Sequence, residues 1–249
     1  PILKLHGGLD KPTISQFRQY FPLLSAISFP AILTQFATPL GQAYVTRTMA
    51  SFGEDAVAGM AVVGRLTPVA FAVIFALSGA IGPIIGQNFG AQQDGRVRGA
   101  FRDGIIFTGL YVCGVAVLLF LLRGPIAGLF NAQGTGRDLI YLFCGPLALV
   151  FFFNGLIFVS NAAFNNLGHP FYSTVVNWGR HTVGTVPFVA LGATWFGAPG
   201  VLIGQAVGGV IFGLIAVVLA LRVMRAKSAP PQDPFARQAR QLSLFHHRR

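Results

Sequence analysis

The sequence predicts an all-α integral membrane protein, a bundle of six transmembrane helices. Three observations carry that prediction. Of 249 residues, 53% are hydrophobic and only 10% charged, with mean hydropathy +0.64, whereas a soluble domain carries about 25% charged residues. That is too little charge to cover a water-facing surface, so the apolar surface must face lipid. The few charges are also widely spaced. There are 28 uncharged residues between Arg18 and Arg47, 28 between Arg65 and Asp94, and 19 between Asp103 and Arg123. Another 41 lie between Asp138 and Arg180, and 41 more between Arg180 and Arg222. One helix needs about 20 apolar residues to cross the hydrocarbon, and the intervals accommodate spans at 23–46, 57–87, 104–122, 139–163, 171–194 and 198–221. Third, the net charge of +11 is asymmetric. With a cytoplasmic N-terminus, inner segments hold thirteen Lys and Arg residues, Lys4 to Arg18, Arg96 to Arg102 and Arg222 to Arg249. The outer loops hold three, Arg47, Arg123 and Arg137. That is the positive-inside pattern, with both termini cytoplasmic. The basicity therefore reports topology and contact with anionic membrane lipids, with no nucleic-acid partner implied.

Taken in order, residues 1–22 read as a cytoplasmic or interfacial linker, in which Thr13 and Gln16 have capping-box spacing ahead of a short helix over 14–21. The six-helix lobe occupies 23–225. Its first span contains Pro30 and Pro39, each expected to kink the helix by breaking the backbone ladder. Thr34, Gln35, Thr38 and Gln42 cluster around Pro39, and Gln35, Thr38 and Gln42 share one helical face. Such a stripe faces protein or a cavity rather than lipid, as cavity lining or as interhelical hydrogen bonds. The second span carries Arg65 and Pro68 and ends in the run Gly86 to Ala91. The third, 104–122, reads as packing.

The fourth span places Asn154, Asn161 and Asn165 seven and four residues apart, near one face. Buried asparagines must be paired, so they either join helices or line a wet path. In the fifth, Asn177, Arg180 and His181 lie in the cytoplasmic half, where Arg180 either functions at membrane depth or snorkels to the interface. The sixth carries Gly200, Gly204 and Gly208, and Gly209 with Gly213, rows that permit close helix contact; Gln205 is its one strongly polar residue. Residues 226–249 are proline-rich and basic, a disordered or lipid-surface tail on the cytoplasmic side. Cys113 and Cys144 fall inside spans and read as packing residues. The chain opens at Pro1 with no signal peptide before the first span, which predicts a fragment.

Several chemistries find no support. The sequence has no P-loop, no HExxH, no GxSxG and no zinc-spaced Cys/His cluster, so no cofactor or metal is expected. All seven carboxylates, Asp10, Glu54, Asp55, Asp94, Asp103, Asp138 and Asp233, fall in expected loops or termini. No acid pair is available at membrane depth, and an enzyme is not expected.

Three stretches are nevertheless distinctive in their order and spacing: Ser28-Phe29-Pro30 through Phe52-Gly53, Gly86 to Ala91 with the arginines that follow, and Asn161 through Pro170. They resemble the multidrug and toxic compound extrusion (MATE) transporters, over roughly 23–225, in that family's second six-helix lobe. The resemblance implies one lobe of a two-lobed protein in a bacterial inner membrane, with a missing N-terminal six-helix lobe as partner and a central cavity between the two. It implies secondary active efflux of small cationic or amphipathic compounds by alternating access, coupled to H+ or Na+. On that footing Gln35, Thr38, Gln42, Asn154 and Asn161 become candidates for the cavity, with Asn177 and Arg180 at an inner gate. This sequence departs from the family pattern where carboxylates are common: Thr38 stands at the first-helix glutamate, and Asn154 in the segment of a fourth-helix aspartate. A coupling acid would then lie in the missing lobe. Two other functions remain compatible with the sequence: flipping of lipid-linked sugars by a related transporter, and a non-transporting membrane assembly subunit.

Overall fold

Long apolar runs punctuated by short polar turns give a chain that is helical almost throughout. A computed structural model describes residues 14–225; the expected tail at 226–249, and residues 1–13 of the expected linker, lie outside the described residues. The elements are α1 (Ile14–Ala50), α2 (Glu54–Gly90), α3 (Asp94–Leu129), α4 (Gly134–Leu142), a π-helical turn (Phe143–Leu147), α5 (Ala148–Asn166), α6 (Pro170–His181) and α7 (Val186–Arg225). Residues 14–22, expected to belong to the linker, are already part of α1. Acidic residues open α2 and α3, where Glu54, Asp55 and Asp94 lie in the first turns and complement the positive end of the helix dipole. Pro170 opens α6, a position where its missing N–H costs nothing.

Four helical runs among the described residues are long and apolar enough to cross a membrane: Glu54–Gly90, Asp94–Leu129, Gly134–Asn166 and Pro170–Arg225. The last is 56 residues long and crosses twice. Its backbone reverses at Gly197, with φ 64° and ψ −144°, a region open to glycine and strained for other residues. The two arms then pack back to back. A Cβ on Gly200 would strike the Gly192 carbonyl, one on Gly204 the Phe188 carbonyl, and one on Gly208 the Gly184 carbonyl. Each pair of numbers sums to 392, the signature of an antiparallel hairpin centred near residue 196. With α1, which is not among those four runs, the described residues form six helical arms, an arrangement consistent with a helical lobe.

The expected fifth span, 171–194, is not one helix. The ladder breaks at 182–185, where Thr182 has φ −103° and ψ −81°. The freed carbonyls are recaptured locally. The Thr185 hydroxyl donates to the Arg180 carbonyl at 2.8 Å, and the Gly184 amide to the Gly179 carbonyl at 2.8 Å. Such local closure is what a membrane interior requires of a broken helix.

Two further breaks lie beside prolines. Pro39 lies within the continuous α1, and the side chain of Pro30 lies outside the described residues. Backbone torsions leave the helical region at Phe71 (φ −115°, ψ 18°), three residues after Pro68, and at Gly145 (φ −98°, ψ −115°), just before Pro146. A proline removes one amide and displaces the carbonyl four residues earlier; at Pro146 the π-helical turn Phe143–Leu147 takes up that displacement with wider backbone bonds.

Three buried apolar clusters hold the arms together. One joins Ile85, Phe101, Phe164 and Val176 at the α2–α3 turn end. A second joins Phe71, Ile74, Val112 and Phe143, with the Phe71 ring stacked on Phe151 at 3.7 Å between centroids. The third joins Met49, Leu139, Val189 and Val201. Outside them, α3 leaves Leu110, Val117 and Leu121 exposed, a continuous apolar stripe suited to lipid rather than water.

Candidate functional site

The polar side chains of the spans sort into places that their spacing alone could not separate. Gln42 of α1 and Asn154 of α5 meet in a cavity of about 450 Å³ inside the bundle, lined also by Thr67, Arg180, Gln205, Met60 and Phe151. The residues next to both broken stretches form its wall: Gly64, Thr67 and Pro68 of α2, and Phe143 and Leu147 of the π-helical turn. Irregular backbone is stable at membrane depth where it borders protein or a wet cavity. The Thr67 hydroxyl donates to the Val63 carbonyl at 2.8 Å, so it is occupied within its own helix.

Arg180, expected at an inner gate, lines this cavity together with Gln42 and Asn154. It lies in the last turn of α6. No hydrogen bond or ion pair reaches its guanidinium among the described residues, where the ion pair present joins Arg102 and Asp103 at 3.3 Å on the exposed surface. The Asn154 Oδ1 atom is buried and lacks a partner; it packs against α7, where a Cβ on Gly209 would stand 3.1 Å from it. Unpaired polar atoms are rare in protein interiors, and here one lies beside a cavity able to hold a ligand or water.

The other candidates fall elsewhere. Gln35 is exposed on α1 in a shallow apolar depression with Ile32, Phe36 and Pro39. The Thr38 hydroxyl is 3.2 Å from His181 Nε2. Asn161 has a buried Oδ1 without a partner, next to an equally unpartnered Ser160 hydroxyl, but neither lines the cavity. Asn165 accepts from the Ser173 hydroxyl at 3.0 Å, and so closes the turn. Asn177 donates to the Ser173 carbonyl at 2.8 Å within α6. The structure thus brings together Gln42, Asn154 and Arg180, and adds Gln205 and Thr67. The signal for Gln205 was present in the sequence, as a solitary amide in a glycine-rich span.

What fixes Arg180 in place is a seam between α1 and the fifth arm. Trp178 Nε1 donates to the Leu33 carbonyl at 2.9 Å, His181 meets Thr38, and the Tyr44 hydroxyl donates to the Val186 carbonyl at 3.4 Å. Partner numbers rise together along the seam, so the two arms run parallel. Gly41 lets them approach: a Cβ there would stand 2.5 Å from His181 Nδ1.

Comparison with known proteins yields concordant matches. The family model described as MatE matches residues 30–191. An uncharacterized 21 kDa protein of Pseudomonas savastanoi is 36% identical over 219 residues, 85% of this chain and 69% of that protein. A protein named FAD transporter from Shewanella oneidensis is 26% identical over 220 residues, 88% of this chain and 49% of its own length. A probable multidrug resistance protein NorM of Aromatoleum aromaticum is 30% identical over 129 residues, 52% of this chain and 27% of its own length. Among solved structures, a mutant of the Vibrio cholerae MATE transporter VcmN superposes with a TM-score of 0.78 at 25% identity, covering 85% of this chain and 48% of that one. The chain thus spans about half the length of the FAD transporter and of VcmN.

Proposed function

The chain belongs to the MatE family of membrane transporters, and on that premise we propose that it forms one lobe of a secondary active exporter of small amphipathic organic compounds. A second six-helix lobe completes the pathway, and the two alternate between inward and outward access, most simply in a bacterial inner membrane. The observation that carries this reading is the half-open cavity of about 450 Å³, walled by broken helices and edged by neutral amides. Transporter sites at the midplane are built from such discontinuous helices. The names of two relatives, an FAD transporter and a multidrug resistance protein, both describe small organic cargo. Of the cationic and amphipathic compounds that the family resemblance implies, the amphipathic ones suit a cavity whose charged lining residue is Arg180. Coupling to H+ or Na+ needs a titrating or ion-binding acid. None of the described carboxylates lines this cavity, so we place the acid in the second lobe. Gln35 and Thr38, both on α1 and outside the cavity, belong in this reading to the side of the pathway that the second lobe completes.

The test separates a transporter from a structural subunit. In the full-length protein, expressed in a bacterial host lacking its own drug exporters, Gln42→Ala and Asn154→Ala are expected to leave membrane levels unchanged. Export of a fluorescent amphipathic dye should fall by about tenfold, the cost of one or two lost polar contacts. Wild-type export by both variants removes the cavity from the pathway. Loss of protein in step with loss of export would instead make these amides packing residues.

A further inference from the structure

Resting on that exporter reading, we propose that Arg180 is an anion-docking residue and that the cargo is a small organic anion, held by its carboxylate or phosphate group. The position of the charge comes first. Arg180 is ten residues into α6 from Pro170, which at 1.5 Å per residue is about 15 Å along the helix. A snorkelling side chain turns toward the interface, whereas this one lines the cavity beside Gln42 and Asn154.

A cation within a membrane bundle requires a counter-charge, and the described chain offers none at this cavity. Glu54, Asp55 and Asp94 sit in the first turns of their helices. Asp103 is exposed and paired with Arg102, and Asp138 lies in α4, away from the cavity lining. Gln42, Asn154 and Gln205, which share the cavity with Arg180, are neutral amides whose N–H groups can donate to an anion but cannot neutralise a guanidinium. The guanidinium itself is a planar fork of five donors, matched to two oxygens of a carboxylate or phosphate. A positive charge without compensation repels an organic cation from the same space. The remaining lining, Met60, Val63, Phe143, Phe151 and Leu202, suits an apolar body attached to the anionic group.

The proposal is tested by binding to the purified full-length protein at fixed ionic strength, with 5-carboxyfluorescein as the anionic probe and ethidium as the cationic one. Wild type is expected to bind carboxyfluorescein at least about tenfold more tightly than ethidium. Arg180→Gln should weaken the anion by about tenfold or more, the loss of one charge-assisted contact, and leave ethidium unchanged or tighter. Arg180→Lys keeps the charge and should retain most of the anion affinity. Displacement of the bound dye by benzoate marks a carboxylate site, and displacement by phenyl phosphate a phosphate site; displacement by neither overturns the proposal. So does wild-type anion affinity in Arg180→Gln, a preference for ethidium, or failure of carboxyfluorescein to bind the wild type. Wild-type anion affinity in Arg180→Gln is also the result expected if the counter-charge is an acid of the second lobe. The exporter reading fails separately: carboxyfluorescein would then bind in an Arg180-dependent way without being exported by wild-type cells. If only the docking proposal fails, dye export persists in Arg180→Gln.

Discussion

Gly41 shows how much of the site depends on a missing side chain. A methyl group there would press on the imidazole of His181, 2.5 Å from Nδ1 and 2.9 Å from its Cβ, and the obstruction cannot swing away because His181 is buried and held by Thr38. Gly41→Ala should force α1 and α6 apart at the level of the cavity. The cost of such overpacking is about 1–3 kcal/mol, read as a lower melting temperature of the purified full-length protein, with dye export falling as well because Arg180 is the next residue along. An unchanged melting temperature would mean that the seam is loose. At this scale the sequence revealed which residues are polar in the spans but not where each one turns. Gln35, Thr38 and Gln42 share a helical face by spacing, yet Gln42 enters the cavity, Thr38 bonds His181 and Gln35 lies in a separate depression. Rotation by a fraction of a turn, set by which neighbour packs against α1, decides among these outcomes. A single chain's periodicity carries no record of that neighbour.

Among elements, the hairpin of α7 makes the strongest demand on sequence. Its arms touch backbone to backbone, so that a Cβ on Gly204 would strike the Phe188 carbonyl, an obstacle that cannot rotate aside. Gly114 in α3 presents the opposite case, because a Cβ there meets nothing. Gly204→Ala should therefore destabilise the protein by about 1–3 kcal/mol. Gly114→Ala should stabilise it by about 0.5–1 kcal/mol through helix propensity alone. Thermal melts of the two variants in one detergent provide the comparison, and equal shifts would remove the close packing from the account. The glycine rows were legible as contact surfaces, since small residues at every fourth position allow helices to approach. Their partner was not legible: Gly200, Gly204 and Gly208 face the preceding arm of their own hairpin, whereas Gly213 faces Phe153 of α5. The long apolar runs were legible for a different reason. Charges are costly in hydrocarbon, so their intervals mark crossings whatever the packing. The breaks were harder to place, because a proline permits a kink without dictating one. Pro68 and Pro146 lie next to non-helical torsions, whereas Pro125 lies inside α3 with no non-helical torsion beside it.

For the molecule as a whole, the six arms turn a charge count into a topology. Successive arms end at Ala50, Gly90, Leu129, Asn166, Gly197 and Arg225, so the turns near 51–53, 130–133 and 197 share one side, and those near 91–93 and 167–169 share the other with Arg225. The seam between α1 and the fifth arm agrees, since contacts Leu33–Trp178, Thr38–His181 and Tyr44–Val186 place those two arms parallel. Arg96, Arg98 and Arg102 follow the 91–93 turn, and Arg222 and Arg225 end the last arm, whereas the opposite side holds Arg47, Arg123 and Arg137. The excess of Lys and Arg identifies the cytoplasmic face, so the 91–93 turn should be cytoplasmic and the 130–133 turn external. Single cysteines at the exposed Gln93 and Gln133, in full-length protein with Cys113 and Cys144 changed to alanine, make this measurable in intact cells. A membrane-impermeant maleimide should label Gln133→Cys from outside, and should label Gln93→Cys only after the cells are opened. The reverse pattern would invert the molecule and with it the direction of proposed export. Labelling of both from outside would mean that one arm between them does not cross, and the six-arm lobe would have to be redrawn at α3.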